Sequence, residues 1–208
     1  MKGLKLEGVG RVSGGEYDSI KLEGVSSCSE NIKAEDIEIE GVFTCGGEVE
    51  AGRMYCQGVS DFKSNIRAKK VIVSGVFNIK EGAKLEAEEI SCEGVIRTGG
   101  EIYADVLRAD GCISAREVYG DNITIETHFP VNRIVKLFKT SKSDIKLIEA
   151  TTIKISGVTA DTVNGTDITI GPNCKVNSVD CSGTLYVDST STVGSITGNY
   201  AIREYGQP

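Results

Sequence analysis

Tryptophan is absent from this 208-residue chain, histidine occurs once and proline three times. Aromatic residues are 6% of the total, too few for a wide core built on large rings. Scarce proline suits a fold in which nearly every backbone N–H joins a hydrogen-bonded ladder. No apolar run reaches the roughly 18 residues of a membrane-spanning helix. The seven cysteines form no C-x-x-C pair and none lies near His128, which excludes the usual zinc spacings. No phosphate-binding G-x-x-x-x-G-K-[ST] loop occurs. Met1-Lys2-Gly3-Leu4-Lys5-Leu6 carries no signal-peptide core, so the chain is expected to stay in the cytoplasm.

What the sequence has in abundance is glycine, 25 residues of it, and much of that glycine is periodic. Ile20-Lys21-Leu22-Glu23-Gly24-Val25 returns as Ile37-Glu38-Ile39-Glu40-Gly41-Val42, and again around Gly58, Gly75, Gly94 and Gly111. Successive differences between these glycine numbers are 17, 17, 17, 19 and 17, with a fainter copy at Gly8. Counted from each glycine, position +8 holds Ile32, Val49, Ile66 and Ile102, and +10 holds Ala34, Ala51, Ala68 and Ala104. Position +13 holds Ile37, Met54, Val71 and Leu107, and +15 holds Ile39, Cys56, Val73 and Ala109. Alternation with period two means strand, and the switch from even to odd positions marks a corner. A unit this short has no room for a helix. The expected fold is all-β: a single-stranded β-solenoid of about 17 residues per coil, with three short strands in each coil. Lys80-Glu81-Gly82-Ala83 is then a two-residue bulge at one corner.

Three segments follow from this pattern. Residues 1–126 form a regular solenoid block, 127–143 a basic connector or short helix, and 144–208 a second, looser block with a C-terminal cap. In the connector, Val131, Ile134, Val135 and Phe138 recur at helical spacing, while Arg133, Lys136, Lys139 and Lys142 supply charge with no acid among them. Such a segment can touch an acidic protein or an anionic membrane surface, or simply pack on the solenoid. Residues 1–126 hold 15 basic and 23 acidic side chains, net −8, which speaks against nucleic acid as a partner.

The cysteines fit as small buried hydrophobes, Cys56 and Cys92 at +15, Cys28 and Cys45 at +4. Cys28 and Cys45 are neighbours in adjacent coils, where a disulfide is sterically conceivable but disfavoured in a reducing compartment.

Gly14-Gly15-x-Tyr17 and the tandem [Ile/Leu]-x-Gly coils resemble the bactofilins, bacterial polymer-forming cytoskeletal proteins. Val131-Asn132-Arg133-Ile134-Val135-Lys136-Leu137-Phe138 and Ile168-Thr169-Ile170-Gly171-Pro172-Asn173-Cys174-Lys175-Val176 are similar to the longer Gram-positive variants of that family. The resemblance implies a right-handed β-helix, filament assembly without nucleotide, and a scaffolding role without a cofactor or a small-molecule substrate. Position +1 departs from it, carrying Val25, Val42, Val59, Val76 and Val95. Either these valines form an outward apolar row, open to a lateral contact or covered by residues 129–148, or the corner turns them inward and displaces Phe43 and Phe77 to the surface. Together with Leu4 and Leu6 of the first coil, the valine row is the expected assembly surface, and the expected partner is another copy of the chain. Protein clients and the inner membrane surface are further expected contacts.

Two other functional classes are weaker on the residues. A hexapeptide-type acyltransferase needs consecutive hexads, and Ile170-Gly171-Pro172-Asn173-Cys174-Lys175 stands alone, with His128 beside a Phe-Pro break. A carbohydrate-active enzyme needs paired carboxylates on loops that a 17-residue coil does not have. A passive binding ladder needs aligned threonines or aromatics, and Thr159, Thr162, Thr166 and Thr169 do not repeat at the coil period.

Overall fold

A computed structural model describes residues 3–127 and 142–202, and every strand pairing in it is parallel. The chain winds as a β-solenoid. Strand β1 (Gly3–Arg11) lies on β2 (Gly15–Cys28), and β2 lies on both β3 (Ile32–Ile39) and β4 (Val42–Cys45). Coils of the same long-short form follow: β5 (Val49–Cys56) with β6 (Val59–Phe62), β7 (Ile66–Val73) with β8 (Val76–Ile79), and β9 (Leu85–Cys92) with β10 (Val95–Thr98). The remaining elements are β11 (Glu101–Ala109), β12 (Cys112–Glu126), β13 (Ser143–Ser156), β14 (Val158–Ile170), β15 (Lys175–Val187), β16 (Thr192–Thr197) and β17 (Ala201–Ile202).

The long strand corrects the expectation of three strands per coil. In Ile32–Ile39 the inward residues are Ile32 and Ala34, then Ile37 and Ile39, so two successive outward residues turn the corner without breaking the ladder. One column shows the winding: Leu4, Ile20, Ile37, Met54, Val71, Ile90, Leu107, Ile123, Ile153, Ile168, Leu185 and Ile202 are successive register partners. The long step from Val71 to Ile90 contains the expected bulge, a tight turn in which Ala83 donates to the Lys80 carbonyl over 3.1 Å and Gly82 takes φ 82°.

The two blocks share one sheet. Ile123 pairs with Ile153, a step of 30 residues, where Leu107 and Ile123 are 16 apart. The Ser143 hydroxyl accepts from Ile113 N–H (3.0 Å) and meets the Thr127 hydroxyl at 2.9 Å. Both side chains are buried, and their polar groups satisfy one another.

From Gly41 onward the repeating glycines are required by contact, while Gly24 combines such a contact with φ 122°. A Cβ on Gly41 would lie 1.9 Å from the Gly24 carbonyl oxygen, and one on Gly58 would lie 1.9 Å from that of Gly41. Backbones of neighbouring coils meet at this corner with nothing between them, and the corner is closed to any side chain.

Inside, one column runs Ser26, Phe43, Ser60, Phe77 and Ile96. Phe62, two residues on from Ser60, lies beside it and packs against both rings, 6.1 Å from Phe43 and 4.8 Å from Phe77. The small serine leaves the space the third ring takes. Ser60 is satisfied, its hydroxyl donating to the Val76 carbonyl at 3.4 Å. Ser26 is buried with no partner for its hydroxyl among the described residues. Replacing it with alanine removes an unmet polar group, so Ser26→Ala is expected to stabilise the fold by about 1 kcal/mol. Chemical denaturation would show this as a higher midpoint at unchanged slope, and a lower midpoint would contradict it.

Candidate assembly surfaces

Both ends of the sheet are edges. Among the described residues β1 pairs on one side only, with β2, and at the other end β16 and β17 each pair only with β15. A strand edge carries a row of N–H and C=O groups able to accept a further strand. At the first edge Leu4 and Leu6 are half-buried against the core, and Val9 is 86% exposed. At the last edge Ile202 is 81% exposed and Ile196 39%. Apolar side chains thus stand beside open ladder positions at each tip.

The valine row is exposed at one end only. Phe43 and Phe77 are fully buried, which overturns the alternative in which the corner pushes them out. The tight glycine corner leaves +2 facing the interior and +1 facing away from it. Val25 and Val42 are exposed, Val59 is half-buried, and Val76 and Val95 are buried. The apolar row therefore opens toward the N-terminal end, on the same side as Val9, next to the first edge.

Of the basic residues, Lys142 is exposed and lies just before β13. Arg133, Lys136 and Lys139 lie outside the described residues, as does His128. So do residues 129–141 of the stretch read as a cover for the valines.

Elsewhere the outer surface is laced by charge pairs one coil apart. Lys33 meets Glu50 at 2.8 Å, Arg53 meets Asp36 at 2.8 Å and Arg67 meets Glu86 at 2.7 Å. In the first coils Lys21 sits among Glu40 (3.0 Å), Glu23 (3.3 Å) and Glu38 (3.4 Å), and its ammonium is held above the ordinary lysine range chiefly by the bond to Glu40. Lys5 bridges to Glu7 and Glu23, with Glu7 held below the ordinary carboxylate range by that lysine. Such pairs are exposed to water, and they align coils more than they stabilise them.

The seven cysteines are free and buried. Cys28 and Cys45 are register partners, and the Cys28 thiol donates to the Glu30 carbonyl at 3.3 Å. Burial pushes the Cys45 thiol up to about 11, with a smaller push from Cys28, and burial pushes Cys92 up to about 12. Thiols held protonated in this way are poor nucleophiles and poor metal ligands. No group of three or more His, Cys, Asp or Glu side chains is arranged to hold a metal ion among the described residues. No helix among them is long and apolar enough to cross a membrane.

Comparison with protein-family models, with curated proteins and with solved structures finds no match for this chain.

Proposed function

We propose that the chain is a non-enzymatic structural protein that assembles with copies of itself through the ends of its solenoid, a cytoplasmic scaffold of the bactofilin kind. The observation that carries this reading is that, among the described residues, the first and last strands are each paired on one side only and flanked by exposed apolar side chains. Docking a second copy on an edge pairs backbone groups otherwise left to water and covers Val9 or Ile202. No nucleotide is needed for such growth, because the free energy comes from ladder bonds and apolar burial. The exposed run Val9, Val25 and Val42 beside the first edge offers a lateral contact of the same chemistry. Lys142, with the neighbouring basic residues, is the natural contact for an acidic client or an anionic membrane surface.

Sedimentation velocity with negative-stain microscopy tests this. Purified protein is expected to form elongated assemblies that grow with concentration. Leu6→Lys, which puts a charge on the first edge, is expected to shift them at least about tenfold toward monomer. Lys142→Glu, away from both edges, should leave them intact. A wild-type protein that stays monomeric at every accessible concentration would remove the basis for the proposal.

A further inference from the structure

Among the cysteines that the strand ladders place, Cys28 and Cys45 alone have one another as register partners. On its other side Cys45 meets Phe62. Cys56 lies between Ile39 and Val73, and Cys92 between Val73 and Ala109. Cys112 is opposite Val95 and Cys181 opposite Gly165. Cys28 is the last residue of β2 and Cys45 the last of β4, so the pair stands at one corner of adjacent coils. Both side chains are buried and point the same way from their strands.

One backbone oxygen gathers the two sulfurs. The Glu30 carbonyl accepts from the Cys28 thiol at 3.3 Å and lies 3.9 Å from the Cys45 sulfur, which also donates to the Gly47 carbonyl at 3.4 Å. Paired strands run about 4.8 Å apart, inside the Cα separation of roughly 4.4–6.8 Å that a disulfide spans. The backbone around the pair is already fixed. Gly46 N–H donates to the Cys28 carbonyl at 2.8 Å, and Lys63 N–H to the Cys45 carbonyl at 2.9 Å. Bringing the sulfurs into bonding contact therefore asks for side-chain rotation rather than movement of a coil. Access is from the Cys28 side. Cys28 is 5% exposed and is followed by exposed Ser29 and Glu30, whereas Cys45 is wholly enclosed.

We propose that Cys28 and Cys45 form an oxidation site, closing to a disulfide when the folded chain meets a hydroperoxide. The Cys28 sulfur attacks one peroxide oxygen and the O–O bond breaks. Cys28 becomes a sulfenic acid, and the departing hydroxide takes the thiol proton and leaves as water. The Cys45 sulfur then attacks the Cys28 sulfur, the S–S bond forms and the S–O bond breaks. The expelled hydroxide carries off the Cys45 proton as a second water. Two thiols are oxidised and one peroxide is reduced, so the atoms and electrons balance. Burial holds the Cys45 thiol protonated, which makes the second step the slow one. The bond ties β2 to β4 and restricts the unfolded chain, so the oxidised protein is the more stable form. This site lies inside the coils and does not depend on self-assembly.

Treating the full chain with hydrogen peroxide at pH 8, then unfolding it in denaturant with excess iodoacetamide and mapping the peptides by mass spectrometry, tests the proposal. A linked Cys28–Cys45 peptide pair is expected, with two of the seven thiols lost and both recovered by dithiothreitol. The oxidised chain should also unfold at a higher urea midpoint than the reduced one. Cys28→Ser should abolish the link, and Cys174→Ser should leave it, with far-UV circular dichroism checking that each variant is folded. Three results overturn the proposal: all seven thiols surviving in the wild-type chain, a disulfide that joins other cysteines instead, or Cys28 passing to a sulfinic acid while Cys45 stays free.

Discussion

Raising the pH from 8 to 10 is expected to cost this protein about 4 kcal/mol of stability through two thiols alone. Cys45 and Cys92 are fully buried and held protonated, with pKa values pushed up to about 11 and about 12. In the unfolded chain a cysteine ionises near pH ~8.5. A group whose folded pKa is raised contributes stability that is complete below the unfolded value and is lost as pH climbs toward the folded one. Each thiol therefore removes about 1.4 kcal/mol per pH unit above about 8.5, or about 2 kcal/mol by pH 10. Cys56, Cys112 and Cys174 are shifted in the same direction by burial and steepen the fall. Urea unfolding at pH 8, 9 and 10 measures it directly. Cys92→Ala, less stable at pH 8 because it leaves a cavity, should show a shallower loss with pH. A stability that stays level up to pH 10 would mean that the thiols ionise in place.

Phe62→Ala is expected to cost about 3–5 kcal/mol, the second large effect. The ring is fully buried, and it is the link between Phe43 and Phe77. Ser60 beside it is too small to fill the gap, and the coils on either side are pinned by their ladders. The hole therefore persists rather than collapsing. Thermal unfolding would register a drop of roughly 10 °C or more, judged on the entropy of unfolding expected for a chain of this length. Adding a Ser60→Leu change to Phe62→Ala should recover part of the loss, because the missing volume is then supplied from the neighbouring position. No recovery would place the cost in something other than the cavity.

The coil length was legible in the sequence because a solenoid repeats its contacts. Every inward position recurs, so Ile37, Met54 and Val71 announce their column by arithmetic. The bulge at Lys80–Ala83 was legible for the same reason, as a two-residue excess before the pattern resumed. The division of each coil was not. Whether the corner between Ala34 and Ile37 interrupts the strand depends on backbone bonds to the coils above and below, and residue type carries no record of those. The valines were ambiguous because +1 and +2 are both apolar, and alternation alone cannot say which side of a corner faces in. Packing decided it, since Phe43, Phe62 and Phe77 fill the interior as one cluster of rings.

Leu4 and Leu6 were legible in the sequence, because they continue the inward columns of the later coils. The stacked tyrosines were not. Tyr103 and Tyr119 are 16 residues apart, one short of the common period, and only the register of β11 on β12 shows that they share a column.

By itself the sequence determined a periodic, all-β rod, since alternating apolar residues and glycines at a fixed interval leave a short chain segment few ways to bury its apolar side. Tertiary structure decided which apolar row stands outside, that β13 pairs directly on β12, and which distant side chains stand together. The reason is physical: period fixes what each coil repeats, whereas contact between coils depends on registers that small insertions shift one coil at a time.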